Sequence, residues 1–89
     1  MYLQTVEIVN PTGLHARPAA EFVQLAKQFQ SKIRIHNCAL ATPPVNAKSI
    51  LSLLTQCLAR GTVAELSAEG ADEVEAVDRL VALIRSLDE

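Results

Sequence analysis

Hydrophobic residues along the chain recur with two different periods, and the shorter period predicts β-strands. Three segments alternate apolar and polar residues with a period of two, as strands with one buried face do: residues 2–9, 31–37 and 62–69. A further short strand is expected around Val45. Pro43-Pro44 excludes a regular central strand just before it, so residues 38–44 should be irregular.

The longer period predicts helices in the segments between the strands. Apolar residues recur at three- and four-residue steps over residues 16–28, as on one face of a helix. Pro18 fits only the first turn of such a helix, so the helix should start within a residue or two of His15. A second, short helix should begin after the N-cap residue Ser49 and stop at Arg60-Gly61.

A third predicted helix begins after Asp72, which has the spacing of a capping box with Glu75. Its apolar stripe consists of Val74, Val77, Leu80, Val81, Ile84 and Leu87. The element order is therefore β-α-β-β-α-β-α, which predicts one α+β domain over residues 1–89. We expect an antiparallel sheet with helices on one face. The other face should keep its polar side chains in water: Glu7, Lys32, Arg34, Glu65 and Ser67.

Composition excludes several classes of function. The 89 residues are 49% apolar, which separates the chain from disordered sequences, and only 3% aromatic, with a net charge of −2. That balance argues against a nucleic-acid partner. Two cysteines make no disulfide framework and no zinc-ligand set, so no metal is expected. No apolar run could span a bilayer and no signal peptide is apparent, which predicts a cytoplasmic protein without membrane insertion.

The densest group of polar residues with chemical potential lies between the first strand and the first helix. It is Gly13-Leu14-His15-Ala16-Arg17-Pro18. Gly13 lets the loop turn tightly, and His15 comes where the first amide groups of the helix have no helical partner. A phosphate beside His15 would meet a cradle formed by Ala16, Arg17 and Pro18 at the positive end of the helix. An imidazole facing such a cradle is a good phosphoryl acceptor. The alternative is that His15 only caps the helix and Arg17 is a solvated charge.

The segment from Gly13 to Ala19 resembles the active-site motif of the HPr family, the histidine-containing phosphocarriers of the bacterial phosphoenolpyruvate:sugar phosphotransferase system (PTS). The likeness covers nearly the whole chain and includes three more motifs: Ala47-Lys48-Ser49-Ile50, Arg60-Gly61-Thr62 and Ser67-Ala68-Glu69-Gly70. It implies an open-faced β-sandwich, with a four-stranded antiparallel sheet covered on one face by three helices. It also implies that phospho-enzyme I phosphorylates His15 at Nδ1 and that Arg17 steadies the phosphoryl group. Sugar-transport subunits of the IIA type would then receive the group, with no cofactor.

The same resemblance implies two further sites. In many bacteria a serine at the position of Ser49 is a regulatory target of HPr kinase/phosphorylase, although helix capping alone would also explain Ser49. The family docks its partners on this short helix and on the helix after His15. The docking residues here would be Ala20, Ile50, Leu51 and Leu54. The alternative is that Ile50 lies in the core with Leu53.

The chain also departs from the family pattern. Residues 38–44 are longer and richer in proline than the usual hairpin, and Cys57 stands where relatives often have glycine. Gln24 and Ser52 replace lysines of enteric relatives, which would weaken electrostatic steering towards acidic partners.

Two other functions stay open at this point, a nitrogen-branch regulatory paralogue and a small acyl- or phosphate-ester hydrolase. The sequence Lys48-Ser49-Ile50 weakly favours the sugar branch over the nitrogen branch. A hydrolase would use Arg17 as an anion clamp, but no Asn or Asp is clearly placed to orient water. A carrier that shuttles between partners gains from a free surface, so a monomer is expected.

Overall fold

The predicted order of elements is confirmed in the computed structural model, which describes residues 1–89. The elements are β1 (Tyr2–Glu7), α1 (Ala16–Ala26), β2 (Lys32–Asn37), β3 (Val45–Asn46), α2 (Ile50–Leu54), β4 (Val63–Glu69) and α3 (Glu73–Ser86). The four strands pair antiparallel in the order β1-β4-β2-β3. Helices cover one face of this sheet, which makes the open-faced sandwich that the resemblance implies. No helix is long and apolar enough to cross a membrane.

The sheet has one buried face and one open face, as its alternation predicts. In β4, the central strand, Leu66 is fully buried and lies opposite Gln4 on one side and Ile35 on the other. The buried side chains of strands and helices form one cluster of 21 hydrophobic residues. The polar side chains expected on the open face are exposed or half-exposed: Glu7, Lys32, Arg34, Glu65 and Ser67.

The predicted end of the second helix is wrong. Helix α2 ends at Leu54, and the chain then continues irregularly, with Gln56 and Leu58 buried. Gln56 Oε1 accepts a hydrogen bond from Asn37 N at 2.9 Å, which draws this segment onto the end of β2. Gly61, at φ 90°, belongs instead to the turn into β4, where its N–H donates to Ile8 O at 2.7 Å. Burial of the segment after α2 therefore ends the helix well before the glycine.

The predicted capping box at the start of α3 is also wrong. Asp72 is the N-cap residue, but its side chain makes no cap hydrogen bond. Its carboxylate instead accepts from Gln30 N and Ser31 N, both at 2.9 Å, and from Ser31 Oγ. Asp72 thus ties the start of α3 to the turn between α1 and β2. Val74, predicted in the apolar stripe, is half-exposed, and the small Ala76 is buried in this part of the helix.

Residues 38–44 are irregular, as the two prolines predict. The end of β2 anchors the first part of this loop. Asn37 Oδ1 accepts from Ala39 N at 2.9 Å, and a ring nitrogen of His36, Nε2, lies 3.1 Å from Leu40 O. Because β1 and β2 both pair antiparallel with β4, this loop leaves β2 at the same end of the sheet at which the loop that carries His15 leaves β1.

Candidate functional site

The loop before α1 is held against the segment that follows α2. Leu14 is buried, and its N–H donates to Leu58 O at 2.9 Å. Gly13 adopts φ 70°, and a Cβ there would clash with Leu58 O. Only glycine fits this close approach without moving the backbone. These contacts fix the loop and present His15, the next residue, at the start of the helix.

His15 is the N-cap residue of α1, with extended backbone angles (φ −132°, ψ 164°). Its side chain makes no cap hydrogen bond and is half-exposed. The imidazole therefore does not cap the helix, which argues against the alternative that helix capping alone explains His15. An imidazole without a partner in the protein is available to an incoming group.

The first turn of α1 offers free hydrogen-bond donors beside His15. The N–H groups of Ala16 and Arg17 have no acceptor in the chain, and Pro18 contributes no N–H. Ala16 adopts φ 51°, a left-handed conformation that costs a non-glycine residue about 1–2 kcal/mol. With the exposed Arg17 guanidinium, two unpaired amides at the positive end of the helix suit an anion. The predicted cradle residues therefore adjoin His15.

Glu89 belongs to this site although nothing in the sequence around it indicates so. Its main-chain oxygen accepts hydrogen bonds from Asn10 Nδ2 (2.7 Å), Thr12 N (3.2 Å) and Thr12 Oγ1 (2.7 Å). Its carboxylate Oε1 lies 3.6 Å from Arg17 Nε. A carboxylate thus pairs with the guanidinium that the sequence assigns to a phosphoryl group. Contacts between residues more than 70 positions apart leave no local pattern from which to predict them.

Ser49 lies at the start of α2 as predicted. Its Oγ accepts a hydrogen bond from Ser52 N at 3.2 Å, which is an N-cap contact, and the residue is half-exposed. The hydroxyl therefore has a structural role and is also open to solvent on one side.

The four residues assigned to docking are all exposed, and we call them the docking surface: Ala20, Ile50, Leu51 and Leu54. Leu51 is 76% exposed, whereas Leu53 is only 1% exposed and is the one buried residue of α2. The alternative that places Ile50 in the core with Leu53 is therefore wrong. Helices α1 and α2 contact each other. Exposed apolar side chains on α2 beside the helix that His15 starts suit a transient protein interface.

The geometry defines a class of protein: a small α+β domain that presents one unengaged histidine at a helix start with free amide donors. Comparisons with known proteins give the family. The family described as "PTS HPr component phosphorylation site" matches residues 3–86. "Phosphocarrier protein HPr" of Haemophilus influenzae is 46% identical over 88 residues, which are 99% of this chain and 100% of the relative.

Solved structures agree with this match. A crystal structure of HPr from Thermoanaerobacter tengcongensis superposes with a TM-score of 0.89 at 50% identity, covering 97% of this chain and 93% of that one. A structure described as an HPr dimer from the same organism has a TM-score of 0.73 at 50% identity, with 97% and 95% covered. The chain belongs to the HPr family. It is a phosphocarrier of the PTS relay and not a catalyst, and the family match does not favour the nitrogen-branch and hydrolase alternatives.

Proposed function

We propose that His15 accepts the phosphoryl group at Nδ1, with Arg17 and the free amides of Ala16 and Arg17 as its cradle. The observation that carries this is the unengaged imidazole of His15 beside those donors. In an in-line transfer, the P–N bond to the donor's imidazole breaks as the bond to His15 forms. The cradle then holds the negative oxygens, and Pro18 completes the turn with no N–H of its own.

Intact mass measurement tests this assignment. After incubation with phosphoenolpyruvate and enzyme I, the chain should carry one acid-labile phosphoryl group, and His15→Ala should carry none. His36→Ala is the matched control, since His36 is the only other histidine and lies on β2, and it should be phosphorylated like the unmodified protein. Phosphorylation of His15→Ala, or its loss in His36→Ala, would overturn the assignment.

We infer that enzyme I donates the group and that IIA subunits receive it, both through the docking surface. The apolar side chains of α2, led by Leu51, support this because they are exposed and lie on the helix that contacts α1. The partners would meet the chain in the cytoplasm, and residues 1–89 would act as one HPr domain. We also propose that the chain works as a monomer, which leaves this surface free for each partner in turn.

Substitution of Leu51 tests the docking surface. Leu51→Glu should weaken binding of enzyme I at least tenfold, because a central apolar contact becomes a buried charge. Val74→Glu is the matched control: Val74 is half-exposed on α3, outside the docking surface, and its substitution should leave binding unchanged. Equal weakening by both substitutions would contradict the proposal, as would no weakening by Leu51→Glu.

We propose Ser49 as a regulatory phosphorylation site of HPr kinase/phosphorylase. A phosphoserine at a helix N-terminus is electrostatically favourable, so it need not unfold α2. It would also put negative charge beside Ile50 and Leu51. With ATP and the kinase, an acid-stable phosphoryl group should form on the unmodified chain and on Ser52→Ala, but not on Ser49→Ala. If the kinase of the source organism modifies none of them, the regulatory role is excluded.

A further inference from the structure

A basic groove lies at the end of α1 opposite to His15. It has a volume of ≈ 330 Å³ and lies between the start of β2 and the end of β3. We call it the basic groove, and seven residues line it: Gln30, Ser31, Lys32, Ile33, Arg34, Asn46 and Lys48. Helix α1 has 11 residues, and its length of about 16 Å separates this groove from the phosphoryl-acceptor site.

Positive charge is concentrated in this groove. Three cations line it, Lys32, Arg34 and Lys48, and no carboxylate does. The ion pairs of the chain join the N-terminus to Glu73 and Arg17 to Glu89, so none of the three groove cations is neutralised by a carboxylate within 4.0 Å. Glu69 lies opposite Lys32 in the pairing of β2 with β4, but it does not line the groove, where the three cations give a local positive field.

The fold holds two of these residues, Lys48 and Asn46, in place before any ligand arrives. Lys48 Nζ donates to Phe29 O at 2.7 Å, which fixes the ammonium at the rim. Asn46 Oδ1 accepts from Lys48 N at 2.9 Å, so the amide group of Asn46 is left as a donor. Lys32 and Arg34 alternate along β2 and project from the same face about 6.6 Å apart. The hydrogen bonds of Lys48 and Asn46 lower the entropic cost of binding at these two residues.

We propose that the basic groove binds a small phosphorylated molecule with at least two negative charges. Every charged or amide group facing the groove can donate a hydrogen bond, and the volume is that of a small-molecule site. Three cations around one concavity suit a ligand with two anionic groups better than a single phosphate. This site is separate from the carrier chemistry of His15.

Amide chemical shifts of the ¹⁵N-labelled chain, titrated with pyrophosphate, test the proposal. The amide chemical shifts of residues 30–34 and 46–48 should change as pyrophosphate is added and then reach a plateau. Inorganic phosphate should bind more weakly than pyrophosphate. Lys32→Gln/Arg34→Gln should raise the Kd for pyrophosphate at least tenfold. The matched control, Arg60→Gln/Arg85→Gln, removes the same charge from outside the groove and should change the Kd less than twofold.

Two results would overturn the proposal. Chemical-shift changes confined to residues 15–17 would place the anion beside His15. An equal increase of the Kd for pyrophosphate in both double variants would show that binding depends only on the overall charge. The shift map of the unmodified chain decides the first point even if a variant folds poorly. Phosphorylation of His15 by enzyme I should be unchanged in Lys32→Gln/Arg34→Gln. The proposal for the basic groove and the proposal for His15 can therefore be refuted independently of each other.

Discussion

At the scale of single residues, Arg17 has two possible anionic partners. The carboxylate of Glu89 lies 3.6 Å from its Nε, and both side chains are exposed. The second partner is the phosphoryl group that we propose for His15. An exposed ion pair contributes about 0–1 kcal/mol, so the contact matters little for stability. We expect it to matter for transfer, because Glu89 competes with the phosphoryl group for the guanidinium of Arg17.

Glu89→Gln should therefore accelerate phosphorylation of His15. Removal of a competing pair of up to about 1 kcal/mol predicts a two- to fivefold higher kcat/KM with phospho-enzyme I. Arg17→Gln should lower the same constant at least tenfold, since it removes the cation itself. The matched control is Glu75→Gln, which removes one exposed carboxylate from α3 and should have no effect. Unchanged or slower transfer in Glu89→Gln would show that the carboxylate does not compete.

Cys57 has a backbone conformation that suits glycine. It adopts φ 52°, and a left-handed conformation costs a non-glycine residue about 1–2 kcal/mol. Glycine does not have this strain. It raises the conformational entropy of the unfolded chain, however, which destabilises the folded state by about 0.4–1 kcal/mol. Cys57→Gly should thus stabilise the chain by up to about 1 kcal/mol in urea unfolding. Cys38→Gly is the control, because Cys38 has no positive φ, and it should destabilise. A loss of stability in Cys57→Gly would contradict the strain argument.

At the scale of elements, the sequence pattern predicted those features that depend on residues close together in the chain. The apolar face of α1 was predicted because Ala19, Phe22 and Ala26 recur at three- and four-residue steps, and all three are buried. The residues around His15 are contiguous in the sequence, so the loop that carries His15 was predictable from its motif. The end of α2 was not, since it depends on Gln56 reaching across to Asn37. The same holds for Asp72, whose partner Ser31 lies 41 positions away.

The contact between α3 and the turn before β2 makes stability depend on pH. The hydrogen bond from the Ser31 hydroxyl, followed by that from the Gln30 amide, lowers the pKa of Asp72 below its ordinary value of 3.8. A carboxylate with a lowered pKa in the folded state stabilises the fold above the unfolded pKa. That stabilisation is lost as the pH falls through the folded pKa. The midpoint of urea unfolding should therefore fall as the pH is lowered below about 4.

Asp72→Asn tests the origin of this pH dependence. It should be less stable than the unmodified chain at neutral pH, because the amide cannot accept as the carboxylate does. Its urea midpoint should also fall less steeply below about pH 4. Asp88→Asn, near the exposed end of the chain, is the matched control and should follow the unmodified protein. Parallel pH profiles for Asp72→Asn and the unmodified chain would assign the acid sensitivity to other carboxylates.

At the scale of the whole molecule, the distribution of exposed apolar residues bears on assembly. A stable interface buries about 800 Å² on each partner, which is about a sixth of the 4864 Å² surface of this chain. Leu3 and Val63 lie on the open face of the sheet. The polar pair Thr5 and Glu65 lies between them in the pairing of β1 with β4, so the two apolar side chains are separated. Val74 is on α3. Of the exposed apolar side chains, only those of α2 form a group along one element, and they belong to the docking surface.

We therefore expect a monomer of 9.6 kDa, although a related HPr has been crystallised as a dimer. Light scattering coupled to size exclusion should give this mass over about a hundredfold range of concentration. A mass that doubles with concentration would contradict the expectation, and Leu51→Glu would then locate the contact. If Leu51→Glu restores the monomer, the dimer uses the docking surface and must dissociate before the chain meets enzyme I. Phosphoryl transfer would in that case slow per chain as its concentration rises, which a monomeric carrier would not show.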